Sequence, residues 1–232
     1  MNDVDTILAE LKRLGTKEGR DGMARYAIVA PKVFGVSVGQ LKVLAKPYGK
    51  NHRLALALWD TGWYEARMMT AFIDDPALVT PAQMDRWAND FDNWAVCDST
   101  CFHLFDKTPH AFSKITQWSK KRGEFQRRAS LALLASVALH DKNAPDEKFL
   151  DALDLVEQAS TDERNFVRKS VVWALRSIGG RNRALNAASL SLAKQLAASD
   201  DRTARSTGKE VIRELAKPAA TRRLESRSRA KV

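Results

Sequence analysis

An aspartate and a tryptophan four residues apart are the side chains of this chain best suited to chemistry. They are Trp94 and Asp98, in the segment FDNWAVCDSTCFHLF of residues 91–105. On an α-helix this spacing places both on one side, and Asp92 or Asn93 could cap the helix just before them. A carboxylate in such a place could stabilise a growing positive charge or position a water molecule. An electron-rich indole face beside it would favour the same charge.

Two further side chains would be costly in a plain apolar core. Arg128 lies in QRRAS and Trp173 in SVVWALR. Structural explanations stay open for each candidate: the two tryptophans could be packing residues, Asp98 a surface carboxylate paired with an arginine, and Arg128 a link between neighbouring repeats. The remaining tryptophans are interpreted as structural.

The elements that must position these residues are short helices. Apolar residues recur at three-and-four spacing along the chain, and no stretch alternates strictly, so the fold class is predicted to be all-α. Glycine, proline and polar clusters, from Gly15–Gly22 onward, predict breaks between helices of about 10 to 18 residues. Loops this short make successive helices antiparallel neighbours.

A weak internal repeat connects several of these helices. The segments WYEARMMTAFI, EFQRRASLALL, NFVRKSVVWAL and DRTARSTGKEVI each carry a basic residue near their start, namely Arg67, Arg128, Lys169 and Arg205. A two-helix unit of roughly 30 to 41 residues is typical of an α-solenoid of the HEAT or armadillo type. Its concave face would be lined by the recurring basic residue. Capping or laddering between repeats is the alternative role for these side chains.

The charge balance narrows the class of partner. Lys and Arg number 38 against 28 Asp and Glu, a formal net charge of +10. This favours a nucleic acid or an anionic membrane surface, unless it is only a basic solvated surface. No run approaches the roughly 20 apolar residues of a membrane span, and the N-terminus indicates an amphipathic helix without a signal-peptide core. A cytoplasmic protein is expected.

The cysteines and histidines do not define a metal site. Cys97 and Cys101 are four residues apart, with His103 and His110 nearby. This loose cluster lacks the paired ligand spacing of closed zinc sites and defines no disulfide framework. Neither a metal nor another cofactor is expected.

Three short patterns occur in an order typical of one enzyme family. They are Trp94-x-x-x-Asp98, then Arg128-Ala129, then Trp173-Ala174-Leu175-Arg176, after an opening stretch ARYAIVAPKVFGVSVGQLKVLAK at 24–46. With these patterns the chain resembles the AlkD-type alkylpurine DNA glycosylases over nearly its whole length, to about residue 216. It departs from the family's W-D-T-V-D run, preceded by two adjacent tryptophans, because it has Trp94-Ala95-Val96-Cys97-Asp98 after Asn93. One aromatic and one acidic residue of the run are absent.

The resemblance implies a HEAT-like α-α superhelix with a concave basic face, as a single domain over 1–216 followed by a basic, flexible tail at 217–232. It implies hydrolysis of the N-glycosidic bond of cationic N3- or N7-alkylpurines in duplex DNA, without extrusion of the base. In that reaction Asp98 would stabilise the positive charge on the deoxyribose and position water, and Trp94 and Trp173 would flank the sugar. Arg128 would hold a neighbouring phosphate.

Further DNA contacts follow from the resemblance and from charge. Tyr26 aligns loosely with an aromatic residue that contacts DNA in the family, and Arg168 and Lys169 are suited to bind phosphates. A monomer is implied, with no membrane and no obligatory protein partner, associated with the bacterial nucleoid when bound to DNA. Two alternatives remain: a non-catalytic relative that binds distorted or branched DNA, and a HEAT-type scaffold whose concave face binds an acidic protein.

Overall fold

The computed structural model describes residues 3–217, which fold into thirteen α-helices and two 3-10 turns without a β-strand. The predicted all-α class is therefore confirmed. The helices are α1 Asp3–Leu14, α2 Lys17–Arg25, α3 Val38–Ala45, α4 His52–Asp60, α5 Tyr64–Ile73, α6 Pro81–Asn89, α7 Trp94–His103, α8 Ala111–Ser119, α9 Glu124–His140, α10 Asp146–Ala159, α11 Asn165–Gly179, α12 Arg183–Ala197 and α13 Arg202–Leu215. The 3-10 turns are Lys46–Tyr48 and Phe105–Lys107.

The chain divides into two compact units, Met1–His110 and Ala111–Val232. The first contains α1 to α7 and the second α8 to α13. The single domain over 1–216 stays a prediction. The tail expected at 217–232 lies, beyond Lys217, outside the described residues.

Polar side chains define where many of the helices begin. In seven of them, a side-chain oxygen of the residue before the first turn accepts a hydrogen bond from a backbone N–H inside that turn, which satisfies a donor that has no partner in the helix. These caps are Thr16, Ser37, Asn51, Thr80, Asn93, Asn182 and Asp201. The caps explain why short helices with different apolar patterns start at defined residues.

The first unit contains a buried pair of aromatic rings and a buried carboxylate. The Trp59 and Trp87 rings stack with centroids 4.0 Å apart and are fully buried. The buried Glu65 carboxylate accepts backbone N–H groups of residues 34–36, the shortest from Gly35 at 2.6 Å. Because its partners are backbone groups of the segment before α3, Glu65 fixes that segment against α5.

One predicted break is shorter than expected, because only Gly15 and Thr16 separate α1 from α2. The segment Gly15–Gly22 was expected to interrupt the helices, but α2 runs from Lys17 to Arg25 through two glycines. Thr16 caps this helix, with its hydroxyl accepting from the Gly19 N–H at 2.9 Å. A Cβ at Gly19 would lie 2.1 Å from the Gly35 carbonyl oxygen. Gly19 therefore permits close packing of α2 on that loop and does not end the helix.

In the second unit, neighbouring helices pack as α8 with α9, α9 with α11, α11 with α12 and α12 with α13. The centre is α9, which is buried without interruption from Arg128 to Ala138. Gly208 of α13 lies so close to α12 that a Cβ would come within 2.4 Å of the Ala193 carbonyl oxygen. No helix within residues 3–217 is long and apolar enough to cross a membrane.

Candidate nucleic-acid interface

The pair Trp94 and Asp98 lies at the start of α7. Asn93 is the cap, its side-chain oxygen accepting from the Val96 N–H at 3.0 Å. The Asn93 amide also donates to the carboxylate of Asp92 at 2.6 Å. Asp92, the other candidate cap, therefore orients the Asn93 side chain. Trp94 and Asp98 are both half-buried, whereas residues 95–97 between them are buried. The indole and the carboxylate therefore share the solvent-facing side of the helix.

A hydrogen bond joins two of the predicted site residues. The Trp94 Nε1–H donates to the backbone carbonyl of Tyr26 at 2.8 Å. Tyr26 follows α2, and the residue is 69% exposed. The next residue, Ala27, has φ +53°, the left-handed region that a side chain with a Cβ rarely adopts. The bond thus fixes both the indole plane and a strained, exposed loop beside it.

The two cysteines lie on the inner side of the same helix. Cys97 and Cys101 are fully buried and unoxidised. Burial, with the adjoining Cys97 thiol, raises the pKa of Cys101 well above its usual range. Within residues 3–217 no group of three or more histidine, cysteine or acidic side chains is arranged to hold a metal. Both thiol side chains pack beneath the Trp94–Asp98 face.

Arg128 is buried in the second unit. The residue lies on α9, and only 6% of it is exposed. Nη1 donates to the Phe166 carbonyl at 2.6 Å, and the guanidinium lies 5.9 Å from the centroid of the Phe166 ring. Arg128 therefore connects α9 to the first turn of α11.

The remaining predicted residues lie on α11. Trp173 is half-buried and Lys169, one turn earlier, is exposed, so the two share one side of the helix. Arg168 is half-buried, and its Nη1 forms an ion pair with Glu210 of α13 at 2.8 Å. Of the basic residues predicted on this helix, Lys169 is thus the more accessible to a solvent-borne anion.

Comparison with known proteins places the chain in a family. The sequence model described as DNA alkylation repair enzyme matches residues 7–215. The chain belongs to this family. Curated proteins gave no match. The family match covers all the site residues predicted above.

Two solved structures of repeat proteins are similar to the chain. One comes from a family of proteins related to the HEAT-like repeat DNA glycosylases with affinity for branched DNA structures; it has a TM-score of 0.75 and 21% identity, covering 91% of this chain and 95% of that one. This likeness confirms the predicted HEAT-like fold. The other is a designed armadillo repeat protein in complex with a (KR)4 peptide, with a TM-score of 0.39 and 14% identity, covering 81% and 80%.

The recurring basic residues of this family member divide into two kinds. Arg67 donates to the carbonyls of Trp59 and Asp90, at 3.4 and 3.3 Å. Arg205 donates to the carbonyls of Ser199 and Asp200, at 2.7 and 3.2 Å. These two arginines, like Arg128, bind carbonyls at helix ends, as the capping alternative predicted. Lys169 does not follow that pattern.

Sequence reasoning missed two groups around Arg128. Phe125 and Phe166 lie with ring centroids 5.5 Å apart. Both occupy the second position of their repeat segment, EFQRRAS and NFVRKS, a signal that comparison of the segments could have supplied.

The second missed group is a carboxylate between two arginines. The Asp162 Oδ2 lies 3.0 Å from Arg127 Nη1 and 2.5 Å from Arg164 Nη2, and Arg164 also donates to the Arg122 carbonyl at 2.8 Å. The hydrogen bond from Arg164 is the main reason why the pKa of Asp162 is lowered. This network joins the loops before α9 and α11, and no local sequence pattern indicates it.

Proposed function

We propose that the protein is a DNA glycosylase that hydrolyses the N-glycosidic bond of cationic N3- or N7-alkylpurines in duplex DNA. One observation carries the proposal: an indole and a carboxylate share the solvent-facing side of α7, and the indole is held by the Tyr26 carbonyl at 2.8 Å. A fixed indole beside a half-buried carboxylate is a suitable arrangement for stabilising positive charge.

The chemistry requires little from the protein at the leaving group. An alkylated purine of this kind is already cationic, so its departure needs no protonation, and the charge that must be stabilised grows on the deoxyribose. The Asp98 carboxylate provides the opposite charge and accepts a proton from the attacking water. The face of Trp94 lies beside the sugar and favours its cationic character. Because the base need not enter a pocket, it stays stacked.

Phosphate binding completes the proposal. Lys169 is exposed and Arg168 half-buried on α11, and the chain has an excess of ten positive charges. Duplex DNA attracts such a surface through release of its counterions. Tyr26 would contact the backbone near Trp94, whereas Arg128, buried and bonded to the Phe166 carbonyl, is not assigned a phosphate. The protein is proposed to act as a monomer in the cytoplasm, at the bacterial nucleoid.

The test is base release from methylated duplex DNA. Duplex treated with a methylating agent is incubated with the protein, and free 3-methyladenine and 7-methylguanine are quantified, with binding to the same duplex measured in parallel. Asp98→Asn is expected to abolish most release while retaining binding. The matched control is Asp92→Asn, which neutralises an exposed carboxylate just before the same helix and leaves an oxygen to accept from Asn93. Release that is unchanged in Asp98→Asn would refute the mechanism.

A second function is favoured by a specific observation. One solved structure with a similar fold comes from a family with affinity for branched DNA structures. The Trp94–Asp98 run here lacks one aromatic and one acidic residue of the glycosylase pattern. Under this alternative the protein binds distorted or branched DNA without excision. Binding without base release would favour it, whereas absence of any salt-dependent DNA binding would leave a scaffold for an acidic protein.

A further inference from the structure

A lysine-lined cavity lies in the first unit beside the end of α3. It has a volume of about 320 Å³. Three lysines, spaced four residues apart, line it together with one aromatic ring: the lining residues are Lys42, Ala45, Lys46, Gly49, Lys50 and Phe72. All three lysines are exposed. We name this feature the lysine cavity.

Two of the three ammonium groups are held in place. Lys42 Nζ lies 5.4 Å from the centroid of the Phe72 ring, a cation–π contact. Lys50 Nζ donates to the Asp74 backbone carbonyl at 2.8 Å. Each keeps further N–H donors, because an ammonium has three. The cavity therefore offers oriented positive charge at less cost in side-chain entropy than freely rotating surface lysines would.

No acidic side chain balances this charge among the described residues that line the cavity. The nearby Asp74 carboxylate is fully buried and accepts from His52 Nδ1 and Gln83 Nε2, both at 2.7 Å. Burial, with the nearby carboxylates of Asp3 and Glu10, raises the pKa of Tyr48, which is not part of the lining. Three ammonium groups in one concavity whose lining contains no acidic side chain attract a polyanion.

The lysine cavity is separate from the Trp94–Asp98 face. The Phe72 ring contacts His103, with centroids 5.0 Å apart, and His103 is the last residue of α7 whereas Trp94 is its first. At 1.5 Å per residue the two ends are roughly 14 Å apart along the helix axis. Asp98 is nearer, roughly 7.5 Å from His103 along the axis, but five residues of helical rotation place it about 140° around the helix. A ligand in the cavity would therefore not compete with one at the indole.

We infer that the lysine cavity binds backbone phosphates of DNA outside the site of the lesion. The inference rests on the proposed function only in taking DNA as the partner, and it does not require base excision. Backbone phosphates fit because they are anionic at every nucleotide and need no base-specific contact. Such a site adds affinity for DNA that extends beyond the segment at Trp94, whether along the same duplex or in a second arm.

The test is the salt dependence of binding to undamaged DNA by the triple variant Lys42→Gln, Lys46→Gln, Lys50→Gln. Dissociation constants are measured by fluorescence anisotropy for a three-way junction and for a linear duplex with the same number of phosphates. If three phosphate contacts are lost, the slope of log K against log salt becomes shallower by about 2.7, and affinity at low salt falls by roughly tenfold or more. A larger loss on the junction assigns the phosphates to a second arm, and an equal loss assigns them to the duplex.

Two controls separate a specific site from general charge. The first control is a second triple variant, Lys12→Gln, Lys142→Gln, Lys194→Gln. It removes the same amount of charge from three exposed lysines on other parts of the chain. Replacing the cavity lysines by arginine keeps the charge, and it is expected to keep most of the slope. Equal slopes and affinities for the two glutamine variants would overturn the inference, as would absence of DNA binding by the unmodified protein. Binding without base release would refute the glycosylase proposal and leave this inference intact.

Discussion

The indole Nε1 of Trp94 donates to the backbone carbonyl of Tyr26, 68 residues earlier, at 2.8 Å. This bond connects the first residue of α7 to the loop after α2, where Ala27 has a positive φ of 53°. Trp94→Phe keeps an aromatic ring and removes the donor. We expect lower hydrogen-exchange protection of the backbone amides at residues 26–28. We also expect base release to be up to about tenfold slower, because one such bond contributes about 0.5–1.5 kcal/mol.

The control for this bond is Tyr26→Phe, since the acceptor is a backbone carbonyl that this change leaves in place. Protection at residues 26–28 should therefore match that of the unmodified protein. Equal protection in Trp94→Phe would mean that the hydrogen bond does not hold the loop, and that the indole is positioned by packing alone.

Asp98 provides the sharpest kinetic prediction. If its carboxylate stabilises charge that exists only in the transition state, Asp98→Asn should lower the rate of base release by about 100-fold or more with little change in DNA affinity. Single-turnover kinetics with saturating protein isolate the chemical step. A fall in affinity that accounts for the entire loss of rate would assign Asp98 to binding and not to catalysis.

Arg128 was predicted as a DNA contact from the family resemblance and Lys169 from its charge, but the two occupy different environments. Arg128 is 6% exposed and donates to the Phe166 carbonyl at 2.6 Å, so Arg128→Ala should lower the free energy of unfolding by about 2–4 kcal/mol. Lys169 is exposed, so Lys169→Ala should change stability by less than about 0.5 kcal/mol and reduce the salt slope of DNA binding by about 1. Denaturant titration and anisotropy test the two predictions.

These environments also show how far sequence reasoning reached. The helix class, a cap for α7 at Asp92 or Asn93 and the shared side of Trp94 and Asp98 follow from local rules of periodicity and capping. The structure agrees with them and selects Asn93 as the cap. The bond from Trp94 to the Tyr26 carbonyl could not be predicted, because a backbone acceptor carries no residue-specific signal. The bond from Arg128 to the Phe166 carbonyl could not be predicted for the same reason. A basic residue at a repeat position is equally compatible with binding a phosphate and with binding a backbone carbonyl.

The structural role of the glycines was the hardest feature to predict from the sequence. A glycine within a helix can mark a place where another segment's backbone packs closely, and it need not mark the end of the helix. A Cβ at Gly208 would lie 2.4 Å from both the Ala193 carbonyl oxygen and the Ala197 nitrogen, so Gly208→Ala should force α12 and α13 apart and destabilise the protein by about 1–3 kcal/mol. At Gly22 of α2 a Cβ would meet nothing within 4 Å. Gly22→Ala is therefore the matched control, expected to stabilise by up to about 1 kcal/mol. Thermal unfolding distinguishes the two, and equal shifts would contradict the close approach.

The Asp162 network predicts how stability depends on pH. Its pKa is lowered in the folded protein, first by the hydrogen bond from Arg164, so the folded state binds this proton more weakly than the unfolded state does. The stabilisation is therefore complete above the unfolded pKa of about 3.9 and is lost as pH falls through the lower folded value. Asp162→Asn should lower the free energy of unfolding at pH 7 by about 1–3 kcal/mol.

The same change should flatten the acid limb of the stability curve below about pH 5. Asp200→Asn, at an exposed carboxylate of the same unit, is the control and should leave the curve nearly unchanged. Denaturant unfolding at a series of pH values measures both variants. If Asp162→Asn shifted stability equally at pH 3 and pH 7, the loss would come from packing, and the charge of Asp162 between Arg127 and Arg164 would contribute nothing to stability.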